Sequence, residues 1–201
     1  MERRVAISFV GGMALPLVGV FLVVPVLGNI GAFTGGSVFR PLVVMLAMAI
    51  VGGALASGAL RRGWRGRLAF AAAFPLGVCV PLLVVMSLQT LSGHESLLQL
   101  LLAFVASFAL SFGLLGTVGT ALLGIGGAVT RRVGVAFTGA GAVGGLVLVA
   151  MVTLLPAATN GGTTLMLLLG SGIAFLVPST LGGWWLGRQI GLAERKHDTV
   201  A

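Results

Sequence analysis

Charge is the first thing this chain lacks. Of its 201 residues four are acidic and twelve basic, 8% charged against 58% hydrophobic, and the mean hydropathy is +1.15. A soluble domain carries roughly 25% charged residues, so too few charges are present to cover a 20.3 kDa globule and a water-soluble enzyme is excluded. The single cysteine, Cys79, lies inside an apolar run. That excludes a disulfide framework, a paired-cysteine redox motif and a cysteine-rich metal site. Tyrosine is absent and lysine is represented by Lys196 alone. The net charge of +8 and the pI near 11.9 come from arginines in short clusters between apolar runs. Membrane topology accounts for that pattern better than nucleic-acid binding does.

What the chain has in quantity is long apolar runs. A bilayer core about 30 Å thick needs about 20 apolar residues of helix. Six runs qualify: 5–27, 41–60, 68–91, 97–129, 133–155 and 164–187. They are continuous rather than alternating, which predicts helices and not barrel strands. The expected fold is therefore all-α, one polytopic membrane domain over 1–201 with a bundle of six transmembrane helices and a short tail at 188–201. The first run is too long for a signal-peptide core and is read as an uncleaved span. The fourth, at 33 residues, would make roughly 50 Å of helix and must tilt, protrude or break. Ser92-x-x-Glu95 and Ser96-x-x-Gln99 have capping-box spacing at its start, and Gly124-Ile125-Gly126-Gly127 offers a stop near its end.

Arginine and lysine set the orientation. Arg3, Arg4, Arg61, Arg62, Arg65, Arg67, Arg131, Arg132, Arg188, Arg195 and Lys196 all fall on one side of the six spans, whereas the loops at 28–40, 92–96 and 156–163 hold only Arg40. By the positive-inside rule both termini are expected in the cytoplasm, with the protein in the plasma membrane. Trp184 and Trp185, one turn before Arg188, read as an interfacial anchor. In the cluster Arg61, Arg62, Trp64, Arg65 and Arg67, two uses are open: docking of a partner or of anionic lipid, or a plain topological anchor.

Several patterns bear on packing. Small residues recur every four positions at Ala49, Gly53 and Ser57, at Ala103, Ser107 and Ser111, and at Gly141 and Gly145. Such stripes serve either a dimer face or contacts inside the bundle. Pro16, Pro75, Pro81 and Pro178 each free the carbonyl four residues back: Gly12, Ala71, Gly77 and Ala174. Freed carbonyls line polar cavities in transporters, or else a nearby hydroxyl satisfies them, here Ser171, Ser179 or Thr180 for the last span. A repeat also shows. Arg3-Arg4-Val5, Phe9 and Gly11 match Arg131-Arg132-Val133, Phe137 and Gly139 at an offset of 128. Pro25, Asn29 and Gly31 match Pro156, Asn160 and Gly162 at an offset of 131. Paired arginines are also expected wherever topology calls for them.

Chemistry is sparse. No span carries an ionisable residue in its middle, which leaves no proton relay or ion-coupling carboxylate. His94 and His197 lie in a loop and the tail, so no intramembrane histidine pair is present to ligate haem. Gly170-Ser171-Gly172 has the form of a membrane serine nucleophile but lacks a histidine on a following helix to activate it. No catalytic residue, metal ligand set or cofactor is expected. The weak ligand-binding candidates gather on the arginine-poor side: Asn29, Arg40, Gln89, His94, Glu95 and Asn160. Two functional classes remain. One is a transport-type protein, either a passive small-solute permease or a substrate-binding membrane subunit of a larger transporter. The other is a non-catalytic accessory or scaffold subunit of a multi-subunit membrane complex. Expected partners are the lipid bilayer and other membrane subunits or further copies of the chain, with no nucleic acid.

Overall fold

Apolar runs without alternation do fold as helices wherever the chain is described. The computed structural model describes residues 2–19, 39–60, 63–90, 97–158 and 163–198. They form α1 (Glu2–Val18), α2 (Phe39–Ala56) continued by a 3-10 turn at Ser57–Leu60, α3 (Gly63–Thr90), α4 (Leu97–Leu122), α5 (Gly127–Ala158) and α6 (Thr163–Asp198). Three stretches, Leu42–Leu60, Leu101–Leu122 and Gly127–Met151, are long and apolar enough to cross a membrane, with mean hydropathies of 2.2, 2.1 and 2.0. The last helix does not stop at Gly187. It runs on through most of the residues expected as a tail, and Gln189 and Ile190 are buried beyond that point.

The long fourth run breaks at its glycines. Gly124 adopts a left-handed φ of 68°, a conformation that costs glycine little because it has no Cβ. The Ile125 amide then donates to the Thr120 carbonyl at 3.4 Å and the Gly124 amide to the Ala121 carbonyl at 2.9 Å. This pair of bonds is a Schellman C-cap. Immediately after it, the Val129 amide donates to the Gly126 carbonyl and the Thr130 hydroxyl to the Ile125 carbonyl, which starts α5. One apolar run thus becomes a helical hairpin.

Each helix packs against its chain neighbours, and α6 returns against α1, so the six close into a ring. Phenylalanines fill its interior. The Phe9 ring of α1 lies 5.1 Å from Phe70 and 5.5 Å from Phe74 of α3, and 5.9 Å from Phe137 of α5, between centroids. A second group joins α4 to α6, with Phe108 and Phe175 at 4.8 Å. Pairs at these separations contribute about 0.5–1.5 kcal/mol each beyond the area they bury. Phe9, Phe70, Phe74, Phe108, Phe112 and Phe137 are all fully buried.

Close approach of backbones completes the ring, and glycines at the helix contacts allow it. Gly52 and Gly53 of α2 abut the carbonyls of Gly12 in α1 and Phe70 in α3. Gly119 and Gly116 of α4 lie under the rings of Phe70 and Phe137, while Gly182 and Gly183 of α6 lie against Phe137 and Phe9. The small-residue stripes therefore serve packing within the bundle: Ala49, Gly53 and Ser57 are buried, as are Ser107, Ser111, Gly141 and Gly145. Gly141 meets the Phe108 carbonyl and Gly145 the backbone of Phe104 and Val105.

The repeat read from arginine pairs extends to burial. Val5, Ala6, Phe9, Gly12, Met13 and Pro16 are buried in α1, and the residues 128 positions later, Val133, Gly134, Phe137, Ala140, Gly141 and Gly144, are buried in α5. Ala49, Gly52, Gly53, Ala56 and Leu60 correspond in the same way, at an offset of 130, to buried Ser179, Gly182, Gly183, Leu186 and Ile190. Burial in register over both helices of a hairpin is a stronger sign of equivalence than the arginine pairs alone. The loop part of the match, Asn29 with Asn160, lies outside the described residues.

Candidate functional site

Two ends of the ring were expected to differ, and seven of the described arginines collect at one, with Arg40 at the other. Phe9, Phe70 and Phe137 meet in one layer, and Arg3 and Arg4, Arg65 and Arg67, and Arg131 and Arg132 precede these three rings on the same side by three to six residues. Gly187 packs on the Cα of Glu2, which brings Arg188 level with Arg3. All seven of these side chains are exposed. Of the cluster expected to dock a partner or lipid, Trp64, Arg65 and Arg67 belong to this rim, with the Arg65 guanidinium 5.9 Å from the Trp64 ring centre. Trp64 is 67% exposed and packs on nothing in the bundle core. Arg61 and Arg62 lie outside the described residues.

The residues expected to anchor α6 lie together. The Arg188 guanidinium sits 5.7 Å from the Trp184 ring centre and 5.5 Å from that of Trp185, close enough for cation–π attraction to both. Two grooves flank this pair. One, of about 620 Å³, lies between α5 and α6 and is lined by Ala128, Arg131, Arg132, Val135, Ala136 and Trp185. The other, of about 550 Å³, lies between α1 and α6 and is lined mainly by Arg3, Ala6, Ile7, Val10, Leu181 and Trp184. Arg3 and Ile7 correspond to Arg131 and Val135 at the offset of 128, so the α1 and α5 walls of the two grooves correspond in the repeat, while both grooves share α6. The sequence held the signal for both grooves in its arginine pairs. Which helices flank Trp184 and Trp185 is a property of ring closure and was not legible.

The prolines have a different environment from either expectation. Pro16 and Pro178 are buried, and the carbonyls they free meet glycines of neighbouring helices: Gly12 faces Gly52, and Ala174 faces Gly144. The approach is so close that a Cβ on Gly52 or Gly144 would collide with the oxygen. Contacts of this kind between a carbonyl and a glycine Cα are weakly favourable and recur where helices touch. Of the hydroxyls named for the last span, Ser179 and Thr180 bond elsewhere, to the Phe175 and Leu176 carbonyls, both at 2.8 Å, and the Ser171 side chain lies outside the described residues. The helix-backbone geometry decides this, because a hydroxyl reaches the carbonyl four residues before its own position. Pro81 is buried and Pro75 half-buried in α3.

Other buried hydroxyls are also spent on their own helices. Ser107 donates to the Phe104 carbonyl, Ser111 to Ser107 and Thr120 to Gly116. The Ser8 hydroxyl of α1 crosses between helices to the Leu55 carbonyl of α2 at 3.1 Å. None of these groups is left to face a solute. At the arginine-poor end, Arg40 falls in the first turn of α2 and Gln89 in the last turn of α3. Asn29, His94, Glu95 and Asn160 lie outside the described residues. Among the described residues no three of His, Cys, Asp and Glu come together as a metal site would require.

In comparisons with protein-family models, curated proteins and solved structures, the chain finds no match.

Proposed function

We propose that this chain is a six-span plasma-membrane protein with both termini in the cytoplasm, acting as a non-catalytic subunit that works with a separate membrane partner. Its most specific form is the substrate-binding membrane subunit of a larger transporter. The observation that carries the subunit reading is the interior of the arginine-rich half. Phe9, Phe70, Phe74 and Phe137 pack ring to ring there, and the neighbouring polar groups are bonded to their own helices. A passive permease needs a polar path across the whole bundle, and a phenylalanine plug argues against one. A subunit that binds its solute near the arginine-poor mouth, at Asn29, Arg40, Gln89, His94, Glu95 and Asn160, needs no such path.

Inward-facing glycine stripes also favour the accessory or scaffold reading, since a solidly packed bundle is what a purely structural subunit requires. Gentle detergent extraction from the native membrane, with mass analysis of co-eluting chains, separates these alternatives. Stoichiometric membrane partners are expected, and their identity distinguishes a transporter from another complex. Elution alone, together with solute flux in proteoliposomes, would overturn the subunit reading in favour of a passive permease.

Topology has its own test. In a Cys79→Ser background, His94→Cys is expected to react with a membrane-impermeant thiol reagent in intact cells, and Gly126→Cys only after permeabilisation. The reverse pattern would overturn the orientation.

A further inference from the structure

The groove between α5 and α6 combines two features. Its wall is apolar, formed by Ala128, Val135 and Ala136, with Trp185 on the far side. Its rim carries two exposed guanidinium groups, Arg131 and Arg132, and among the described residues no carboxylate pairs with either. A ligand that brings an anionic oxygen to the two arginines and an apolar body to the wall would satisfy both.

We propose that this groove is a binding site for an anionic phospholipid, its phosphate held by Arg131 and Arg132, its first acyl carbons lying along Val135 and Ala136. Charge complementarity selects the head group, because guanidinium pairs phosphate through several donors at once. The apolar wall selects a lipid over a free anion. Location agrees with both, since the arginine rim stands where the proposed topology puts the cytoplasmic leaflet, whose surface is anionic. The site rests on that membrane reading, and the thiol-labelling test above fails or succeeds independently of it. The groove between α1 and α6 has one arginine, Arg3, at its rim where this one has two, and it is the weaker of the two.

The test uses the full chain, purified and stripped of lipid in a neutral detergent, with thermal unfolding followed during titration with phosphatidylglycerol, phosphatidylcholine or inorganic phosphate. Phosphatidylglycerol is expected to raise the unfolding temperature saturably, and the other two to leave it unchanged. The double variant Arg131→Gln/Arg132→Gln, altered only at exposed side chains, should lose the shift. Arg65→Gln/Arg67→Gln, equal in charge removed, should keep it. An equal shift with inorganic phosphate would replace the lipid by a free anion. An equal loss in the two arginine double variants would reduce the effect to unspecific charge attraction, and an undiminished shift in the Arg131→Gln/Arg132→Gln protein would overturn the site.

Discussion

The hairpin α1–α2 and the hairpin α5–α6 bury matching positions and dress their outer surfaces differently. Phe9 and Phe137 occupy the same layer, and Gly52-Gly53 and Gly182-Gly183 each let one helix lie against two neighbours. On the outside the likeness ends. Where α6 carries Trp184, Trp185 and Arg188, the corresponding stretch of α2 carries Ala54, Leu55 and Gly58. Proline is placed differently as well, in α1 of one hairpin and α6 of the other. Packing between helices in lipid depends on fit rather than on exclusion from water, so inward positions tolerate little divergence. Outward positions meet lipid or partners and are free to specialise, which makes α6 the element where this chain's own function is to be sought.

The strongest way to break the comparison is to empty the shared layer. Phe9→Ala and Phe137→Ala should each destabilise by about 3–5 kcal/mol, as large buried aromatics do when truncated, and by similar amounts if the hairpins are equivalent. Unfolding in detergent would measure both, and tolerance of one with collapse of the other would end the equivalence. Next comes the glycine contact. Gly53→Ala drives a methyl into the Phe70 carbonyl, and overpacking of this kind costs about 1–3 kcal/mol. Gly139→Ala, where a Cβ meets nothing within 4 Å, should leave the melting temperature unchanged or raise it, because alanine is the better helix former. The smallest effect is expected from Pro16→Ala and Pro178→Ala. Each restores a backbone donor to a carbonyl that already rests on a neighbouring glycine, so both should shift stability by less than about 1 kcal/mol. A large gain from either would mean that the freed carbonyl was unsatisfied.

Much of the fold was legible because it is written locally. Apolar run length marks the helices, and a Gly-x-Gly-Gly sequence marks the turn that divides the fourth run. Tryptophan one turn before arginine marks an anchor. What was not legible depends on which helix stands beside which. That Gly52 receives the carbonyl freed by Pro16, or that Trp185 faces Arg131 across a groove, follows from the order of helices around the ring and not from any spacing along the chain. The length of α6 was not legible for a related reason: residues after Gly187 are polar enough to read as a tail, yet Ile190 is buried and the helix continues to Asp198. The ligand candidates from Asn29 to Asn160 were chosen for polarity in connecting segments, where periodicity gives no guidance.

Ring closure between α1 and α6 has a consequence for biosynthesis. The glycine and phenylalanine face that α1 turns toward Gly183 and Gly187 finds its cover only when the last of the six helices has been made. Until then α1–α5 form an open arc with one uncovered seam at each edge, the most non-local contact in the chain being formed last. A ribosome stalled within α6 would therefore leave an arc able to capture α6 from another copy, and quality control of this protein amounts to a check that the seam has been shut by its own chain.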